Sequence, residues 1–578
     1  MAVENLITEH IDIWTSAVKA KSTSGRGGSK KLELYGVKKL RDLILELAVR
    51  GKLVPQDPND EPASVLLERI ASEKAQLIKD KKIKKPKKLL ALNDEDIPFG
   101  LPEGWEWSQV NELAKVVTDG VHHTPKYLDN GVPFISVKDI DGKSISFDDC
   151  KYISQEQHEE INQRCNPEKG DILLCRIGTL GRATIVDTEK AFSLFVSVGL
   201  LKFFNEQLLP EYLHTVFHSP LLLRQYDEIK AGGSHTNKLN LGDIPRLKIP
   251  VAPLQEQHRI VAKVDELMAL CDQLEQQTEA SIEAHQVLVT TLLDTLTNSA
   301  DADELMQNWA RISEHFDTLF TTEESIDQLK QTILQLAVMG KLVPQDPSDE
   351  PAAELLKRIT GEKAQLVKDK VYQKTSKLKP RNELISYPKG WVGVQTGQVC
   401  PSIVPNRDRP KSFTGNIPWV TLPAFPQQSL YLDSTKVELA LTETEVQKYS
   451  ARLIPEGSVL MSCVGRFGLT AINTIPVTSN QQVHAFITLK GLLPEYLSMV
   501  IRVEGKVLET IATSTTIAYL NKTNCESIQF GLPPENEQRL IVEKAKELID
   551  LCEQLKVRVK EFQATQHNLT DAIVEQAV

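Results

Sequence analysis

Residues 40–81 and 329–370 are nearly the same sequence: 30 of 42 aligned positions are identical without a gap, and the copies lie 289 residues apart. A chain of 578 residues that carries one distinctive block twice was built by doubling. Its fold must contain two of something, and its function must need two of something. Weaker echoes follow in the same order in both halves. Glu9-His10-x-Asp12 answers Glu314-His315-x-Asp317, Pro102-x-Gly104-Trp105 answers Pro388-x-Gly390-Trp391, and Val132-Pro133-Phe134-Ile135 answers Ile417-Pro418-Trp419-Val420. Ile177-Gly178-x-x-Gly181 answers Val464-Gly465-x-x-Gly468, and Pro253-x-x-Glu256-Gln257 answers Pro534-x-x-Glu537-Gln538.

The last pair opens the clearest helices, since proline suits a helix start. From Ile260, apolar residues recur in steps of three and four through Val264, Leu267, Cys271 and Leu274, then at Leu288 and Leu292. This is a coiled-coil seam, weakened in its middle by Thr278, Ser281 and His285. Ile541, Leu548, Cys552 and Leu555 give the matching stripe. A helix over 255–296 would be about 60 Å long. It cannot bury its seam alone, and the other copy is its natural partner.

Between the helices the texture changes. β-rich runs at 132–137, 171–175 and 195–204 lie between Gly, Pro, Asp and Asn clusters, followed by a helical stretch over 210–226; the runs recur at 417–422, 458–463 and 483–489. The pattern predicts an α+β protein with an internal pseudo-two-fold repeat, in which two α+β domains are separated by paired long antiparallel helices. Its segments are a helical region with the first repeat copy (1–90), a domain (91–252), a central helical spacer with the second copy (253–380), a second domain (381–533) and a closing helix (534–578). The two domains share a skeleton but little detailed sequence, while the blocks beside them are nearly identical. The domains came to do different jobs and the helices kept the same one.

Composition narrows the class. Hydrophobic residues at 41% and charged residues at 25% suit a soluble globular protein. No run of about 18 apolar residues could span a membrane, and the start MAVENLITEHIDIW lacks the layout of a signal peptide. Eight cysteines without a C-x-x-C pair point to a reducing cytoplasm, with neither disulfide framework nor zinc ribbon. The net charge of −11 argues mildly against a large nucleic-acid surface. It is uneven, however: residues 101–252 sum to −5 and residues 381–533 to +2, and local patches decide binding. The run 79–88 (KDKKIKKPKK) and its counterpart over 368–381 are basic; each is either a solvated linker or a strap facing phosphates. Residues 20–31 form a Gly/Ser/Lys loop, expected to be peripheral.

No catalytic motif emerges. A P-loop is absent, because Val137 stands where its first glycine belongs ahead of Gly142-Lys143-Ser144. Asn-Pro-Pro-Tyr, Asp-Pro-Pro-Tyr, G-x-G-x-x-G and H-E-x-x-H do not occur. His122-His123 stand without a ligand pattern around them and suit hydrogen bonding better than a metal. Asp148-Asp149 and Glu159-Glu160 read as solvated acids.

The combination resembles the DNA-specificity (S) subunit of type I restriction–modification systems. The resemblance is carried by Pro-Leu-x-Glu-Gln-x-x-Ile-Val from Pro253 to Val261, echoed from Pro534 to Val542, and by Thr118-Asp119-Gly120-x-His122-x-Thr124-Pro125. The run from Gly131 to Ile140 and the Gly-Asp-Ile-Leu-Leu run at 170–174 add to it. The twice-present GKLVPQDPxDEPA looks like the subgroup carrying such repeats ahead of each target recognition domain. The second domain departs from the pattern, with Asn406-Arg407-Asp408-Arg409 near the place of the Asp-Gly-x-His stretch.

The resemblance implies that each domain reads half of a split, asymmetric duplex DNA target. The helices would act as a ruler, two methyltransferase subunits would dock on the duplicated helical regions, and restriction subunits would join them. The chain itself would bind no cofactor; S-adenosylmethionine would sit on the methyltransferase partner, ATP and Mg2+ on the restriction partner. Loop residues with base-edge or phosphate chemistry are the expected readers. In the first domain these are Thr118, His122, Thr124, Lys126, Lys138, Arg176, Thr179, Arg182, Ser234, His235, Thr236, Asn237 and Lys238. In the second they are Arg407, Arg409, Lys411, Arg466, Gln481, Gln482, Thr515, Thr516, Asn521 and Lys522. The glycines at 178, 181, 465 and 468 are expected to bring backbone close to DNA. Two rival classes are a stand-alone restriction enzyme, against which the missing motifs speak, and a scaffold that joins partners without touching DNA, which the acidic balance permits.

Overall fold

The computed structural model describes residues 3–20, 32–231, 237–300, 302–380, 385–404, 409–426, 429–512 and 518–578. The chain divides into two compact units, Met1–Ser281 with Phe562–Val578, and Ile282–Glu561. Its six longest described helices are α1 (Tyr35–Val49), α2 (Ala63–Lys79), α3 (Leu254–Asn298), α4 (Glu323–Val338), α5 (Ala352–Lys368) and α6 (Glu535–Ala577). The first repeat copy gives α1 and α2, the second gives α4 and α5.

Each copy folds the same way for reasons its sequence carries. Leu40, Ile44 and Leu47 of α1 are buried at helical spacing. The helix stops at Gly51, where φ is +65°. There the Lys52 N–H reaches the Leu47 carbonyl (2.9 Å) and the Gly51 N–H reaches Ala48 (3.4 Å), the double bond of a glycine-terminated helix. In α4 the same residues are Leu329, Ile333 and Leu336, stopping at Gly340 with φ +70° and the matching bond from Lys341 to Leu336 at 2.9 Å.

These glycines back onto the Pro-x-Gly-Trp echoes. A Cβ on Gly51 would lie 2.5 Å from Cγ of Pro102, and one on Gly340 2.6 Å from Cγ of Pro388. Trp105 Nε1 then donates to Glu256 at the start of α3, and Trp391 Nε1 to Glu537 at the start of α6, both at 2.9 Å. Gln56 of the repeated block also donates to Glu256 (3.2 Å). Burial pushes both carboxyls up, and the indole N–H works against it. Three motifs that are separate in sequence thus meet in one junction, built once in each unit. A buried lysine adds a second tie. Lys74 of α2 donates to the carbonyls of Asn111 (2.5 Å) and Ala114 (2.6 Å), and Lys363 of α5 to Gly397 and to Thr375 Oγ1 (2.7 Å). Burial holds both ammonium groups below the usual lysine range.

The long helix expected over 255–296 is the unbroken α3. Its buried stripe runs through Ile260, Val264, Leu267, Cys271, Leu274 and Thr278, with Ile282 and His285 half-buried, then Val289, Leu293 and Leu296. Leu288 is 49% exposed and Leu292 only half-buried, so the expected seam is one residue out of phase beyond its weak middle. The burial repeat averages about 3.6 residues, the period of a straight helix, and a strict 3.5-residue seam drifts away from it. In α6, Ile541 and Cys552 are buried as expected, Leu548 and Leu555 are half-buried, and Ala545 and Val559 complete the stripe.

The seams also have more partners than the other long helix. In the second unit the end of α3 (Val289, Leu293, Leu296), α4 (Leu329, Ile333) and the start of α6 (Ile541, Ala545, Cys552) share one core. In the first unit Arg41 of α1 pairs with Asp272 (2.6 Å) and Glu275 (2.8 Å) on α3, while Tyr35 (2.8 Å) and Lys39 (2.8 Å) of α1 hold Asp571 near the end of α6. The end of α3 and the start of α6 share a core in one unit, and the start of α3 and the end of α6 both flank α1 in the other.

The two domains have one topology. Each begins and ends on a two-stranded antiparallel ribbon, Glu106–Gln109 with Lys248–Val251 and Val392–Gln395 with Gln529–Leu532. Each has a four-stranded antiparallel sheet. Its order is Ala114–Asp119, Val198–Phe203, Ile172–Cys175, Ala183–Ile185 in the first domain and Ser402–Ile403, Val483–Phe486, Val459–Ser462, Thr470–Ile472 in the second. A three-stranded sheet centred on Val132–Ile135 or Ile417–Val420 completes each. The helical stretch over 210–226 is two helices, Pro210–His218 and Pro220–Ile229, because Pro220 cannot continue the first and Ser219 caps the second.

Candidate nucleic-acid interface

In the first domain the expected reader loops converge on a buried ion cluster. The strand Ala114–Asp119 ends at Asp119, which is 1% exposed. Its carboxylate pairs tightly with Arg176, forms an ion pair with Arg164 (3.3 Å) and accepts from His122 Nε2 (3.2 Å). Arg176 also donates to the carbonyls of Leu239 and Val196, each at 3.1 Å, and Arg164 to that of Gly120 (2.7 Å). Backbone bonds close the frame: the Arg176 N–H to Ser197 (2.9 Å), the Leu239 N–H to Arg176 (2.8 Å) and the Gly178 N–H to Asn237 (3.4 Å). One cluster therefore binds the loop after Asp119, the hairpin 176–182, and the segments around 196 and 238 into a single rim.

The second domain repeats the backbone frame with other contents. The Cys463 N–H bonds to Gln482 (2.9 Å), the Leu520 N–H to Cys463 (2.9 Å) and the Gly465 N–H to Ala518 (3.1 Å). Cys463 stands where the first domain has Arg176, and Arg466 where it has Thr179. Cys463 is fully buried, and burial pushes its thiol up to about 12. In place of the ion cluster, the Cys463 thiol donates to the Gln482 carbonyl (3.3 Å). A buried acid of this domain is Glu526, which accepts from Ser402 Oγ (2.7 Å) and the Ser376 N–H (2.8 Å) and pairs with Lys522 (3.5 Å).

Against this geometry the expected readers divide. His122, Thr124, Lys126, Thr179, Asn237 and Lys238 are exposed on the first rim. Arg176, at 3% exposure, does not face outward: its guanidinium is taken up by Asp119 and two carbonyls and ties the rim together. Thr118, at 8%, is likewise inside the sheet. Arg182 is half-buried and donates to the Ile140 carbonyl (3.1 Å); Lys138 is exposed but donates to the Asp149 carbonyl (2.6 Å) beside two acids.

In the second domain Arg409, Lys411, Arg466 and Gln481 are exposed, with Arg409 over the Phe413 ring at 5.7 Å. Gln482 is half-buried and accepts from Asn480 (3.2 Å). Asn521 is exposed but caps the helix Lys522–Glu526 by accepting from the Asn524 N–H (2.8 Å), and Lys522 donates to the Lys374 carbonyl (3.3 Å). Arg466 also lines a polar groove of about 770 Å³ with Thr290, Asp294, Asp327 and Lys556. Ser234, His235, Thr236, Arg407, Thr515 and Thr516 lie outside the described residues.

The hairpin glycines have two separate uses. At Gly178 and Gly465, φ is +81° and +77° with open space around a Cβ, so they serve the turn. Gly181 packs against the Tyr226 ring and Gly468 against the backbone of Gly505, so their close approach is to protein, not to DNA. The residues missed by sequence reasoning are Asp119, Arg164 and Glu526. A signal for the first existed: an acid and an arginine each ending a β-rich run can neutralise one another only inside. Among the described residues no group of three or more His, Cys, Asp or Glu could hold a metal, and no helix is long and apolar enough to cross a membrane.

The sequence model of the type I restriction modification DNA specificity domain matches residues 102–284 and again 388–561. The chain is 38% identical to the EcoAI type I restriction enzyme specificity subunit of Escherichia coli over the whole of both chains. It is also 38% identical, again over both whole chains, to the EcoEI type I restriction enzyme specificity subunit of the same organism. A chain in a solved structure concerned with complex assembly and conformational transition of the type I R-M system shares the fold. It aligns with a TM-score of 0.50 at 19% identity, covering 83% of this chain and 99% of that one. With two matched specificity domains set on two copies of one helical block, the chain belongs to the DNA-specificity subunits of type I restriction–modification systems.

Proposed function

We propose that this chain carries only the address of its complex. The domains over 91–252 and 381–533 each bind one half of a bipartite, asymmetric duplex DNA target. The long helices set the distance between half-sites. The duplicated blocks dock two methyltransferase subunits, because a surface present twice offers one partner the same contacts twice, and restriction subunits join to complete the endonuclease. The chain is non-catalytic. Adenine methylation uses S-adenosylmethionine held by the methyltransferase, and ATP and Mg2+ act at the restriction subunit.

One observation carries this reading: the same backbone frame presents unlike residues, Thr179 in one domain and Arg466 in the other, beside two nearly identical helical junctions. Unlike readers on like supports suit an asymmetric target and a doubled partner. The test is footprinting of the complex with its methyltransferase, together with methylation mapping of DNA from cells carrying the intact system. We expect one bipartite site. Thr179→Ala should relax readout in one half and Arg466→Ala in the other, by about 1–3 kcal/mol if each meets a base edge. Equal binding to random DNA at competing salt would refute the reading, and methylation or cleavage by the isolated chain would favour a stand-alone enzyme.

A further inference from the structure

We infer that the two lysine-rich segments following α2 and α5 are straps that bind DNA phosphates alongside each recognition domain. The inference rests on the DNA-reading function above and adds a surface outside both matched specificity stretches, which begin at residues 102 and 388. Residues 79–88 hold seven lysines and one acid, and residues 368–379 hold five lysines and one acid.

Both segments follow a fixed path, which a solvated linker does not need. They leave their helices through Lys81 (φ +57°) and Lys370 (φ +60°), matching residues in a conformation that side chains seldom adopt. Each turn is closed alike, by the Lys82 N–H on the Leu77 carbonyl (2.9 Å) and the Val371 N–H on Leu366 (3.0 Å). Beyond the turn the backbone is sewn to the domain. Asn111 donates to the Lys87 carbonyl (3.3 Å) and Gln109 to Leu90 (3.2 Å). In the second copy Gln395 donates to Lys379 (3.0 Å), and the Lys379 N–H donates to Ser527 (3.0 Å).

The backbone is used and the ammonium groups are not. Lys81, Lys82, Lys84, Lys85, Lys87 and Lys88 are exposed, and their side chains have no hydrogen-bond or ion-pair partner among the described residues. The same holds for Lys368, Lys370, Lys374, Lys377 and Lys379. Holding like charges side by side on a backbone tied to the domain raises their repulsion, and a polyanion relieves it. The second strap also runs into the reading rim: Lys374 is held by Lys522, two residues past Leu520, whose N–H is bonded to Cys463 of the hairpin bearing Arg466. A duplex lying on that rim brings its phosphates within reach of the strap. Contacts of this kind hold DNA without reading sequence.

The test uses the full chain assembled with its methyltransferase. Lys81, Lys82, Lys84, Lys85, Lys87 and Lys88 are changed together to glutamine in one variant and to arginine in another. Each complex is titrated across a salt series with a duplex carrying the mapped target and a duplex with scrambled half-sites. For glutamine we expect both affinities to fall by the same factor, about tenfold or more. The ratio of the two should stay constant, and the salt slope should become shallower by about 0.9 for each phosphate that is no longer neutralised. The arginine variant should match the wild type. An unchanged slope, a loss confined to the target duplex, or failure of the folded glutamine variant to assemble with its partner overturns the inference. A wild-type complex that does not prefer the target fails the DNA-reading function itself, and its salt slope on either duplex still reports on the straps.

Discussion

Asp119 and Arg176 occupy the foot of the first rim, almost without solvent. Losing Arg176 takes from Asp119 its one buried partner and leaves the solvent-facing Arg164 and His122, so the cost is at most the about 3–5 kcal/mol of a fully stranded charge. Arg176→Met should therefore unfold the first domain at markedly lower denaturant, while Thr179→Ala on the exposed hairpin tip should leave the midpoint in place. Replacing Asp119 and Arg176 together by apolar residues should recover much of the loss, because the second domain holds the same backbone frame around Cys463. Urea unfolding of the three variants checks this, and a double variant no better than the single one would speak against it. An arginine ending the run Ile-Leu-Leu-Cys is visible in the sequence, and so is its cationic chemistry. Which way it turns is not, because that depends on Asp119, 57 residues away. The exposure of positions such as Thr124, Lys126 and Lys411 was legible because turn residues surround them.

At the scale of elements, the glycine at the end of α1 and α4 does two things at once: it supplies a left-handed residue and it admits a proline ring. Gly51→Ala or Gly340→Ala should cost about 1–2 kcal/mol for the backbone alone, and more for the collision with Pro102 or Pro388. Gly361 lies inside α5 with open space around a Cβ, so Gly361→Ala should instead gain about 0.5–1 kcal/mol. Thermal unfolding midpoints that moved the same way for all three would contradict this account. The long helices could be read from periodicity, since burial on one face leaves that trace, and six of the strands from β-rich runs between turn residues. The phase of α3 past residue 281 could not. Polar residues at the weak middle carry no seam, and the exposed Leu288 is as apolar as the buried Val289.

For the whole molecule, the doubling and the order of its parts were legible, because a repeated block needs no physics to be seen. The division of the chain was not. The first unit is discontinuous and takes in residues 562–578 from the end of α6. Tyr35 and Lys39 hold Asp571 at 2.8 Å, and His567 bonds the Val18 carbonyl at 3.0 Å. Contacts between residues more than 500 positions apart leave no local pattern in either segment. Removing residues 562–578 should open the region around α1 to protease and leave the cleavage pattern of residues 282–561 as it was. Limited proteolysis with mass spectrometry reads both, and an unaltered map of α1 would count against the role given to that helix end.

The same discontinuity sets a timetable for the newborn chain. Residues 282–561 leave the ribosome as one continuous piece, whereas the half translated first stays incomplete until a segment made after all of them emerges. The part that begins first is the part that finishes last, and in the interval its α1 face is open to whatever binds it.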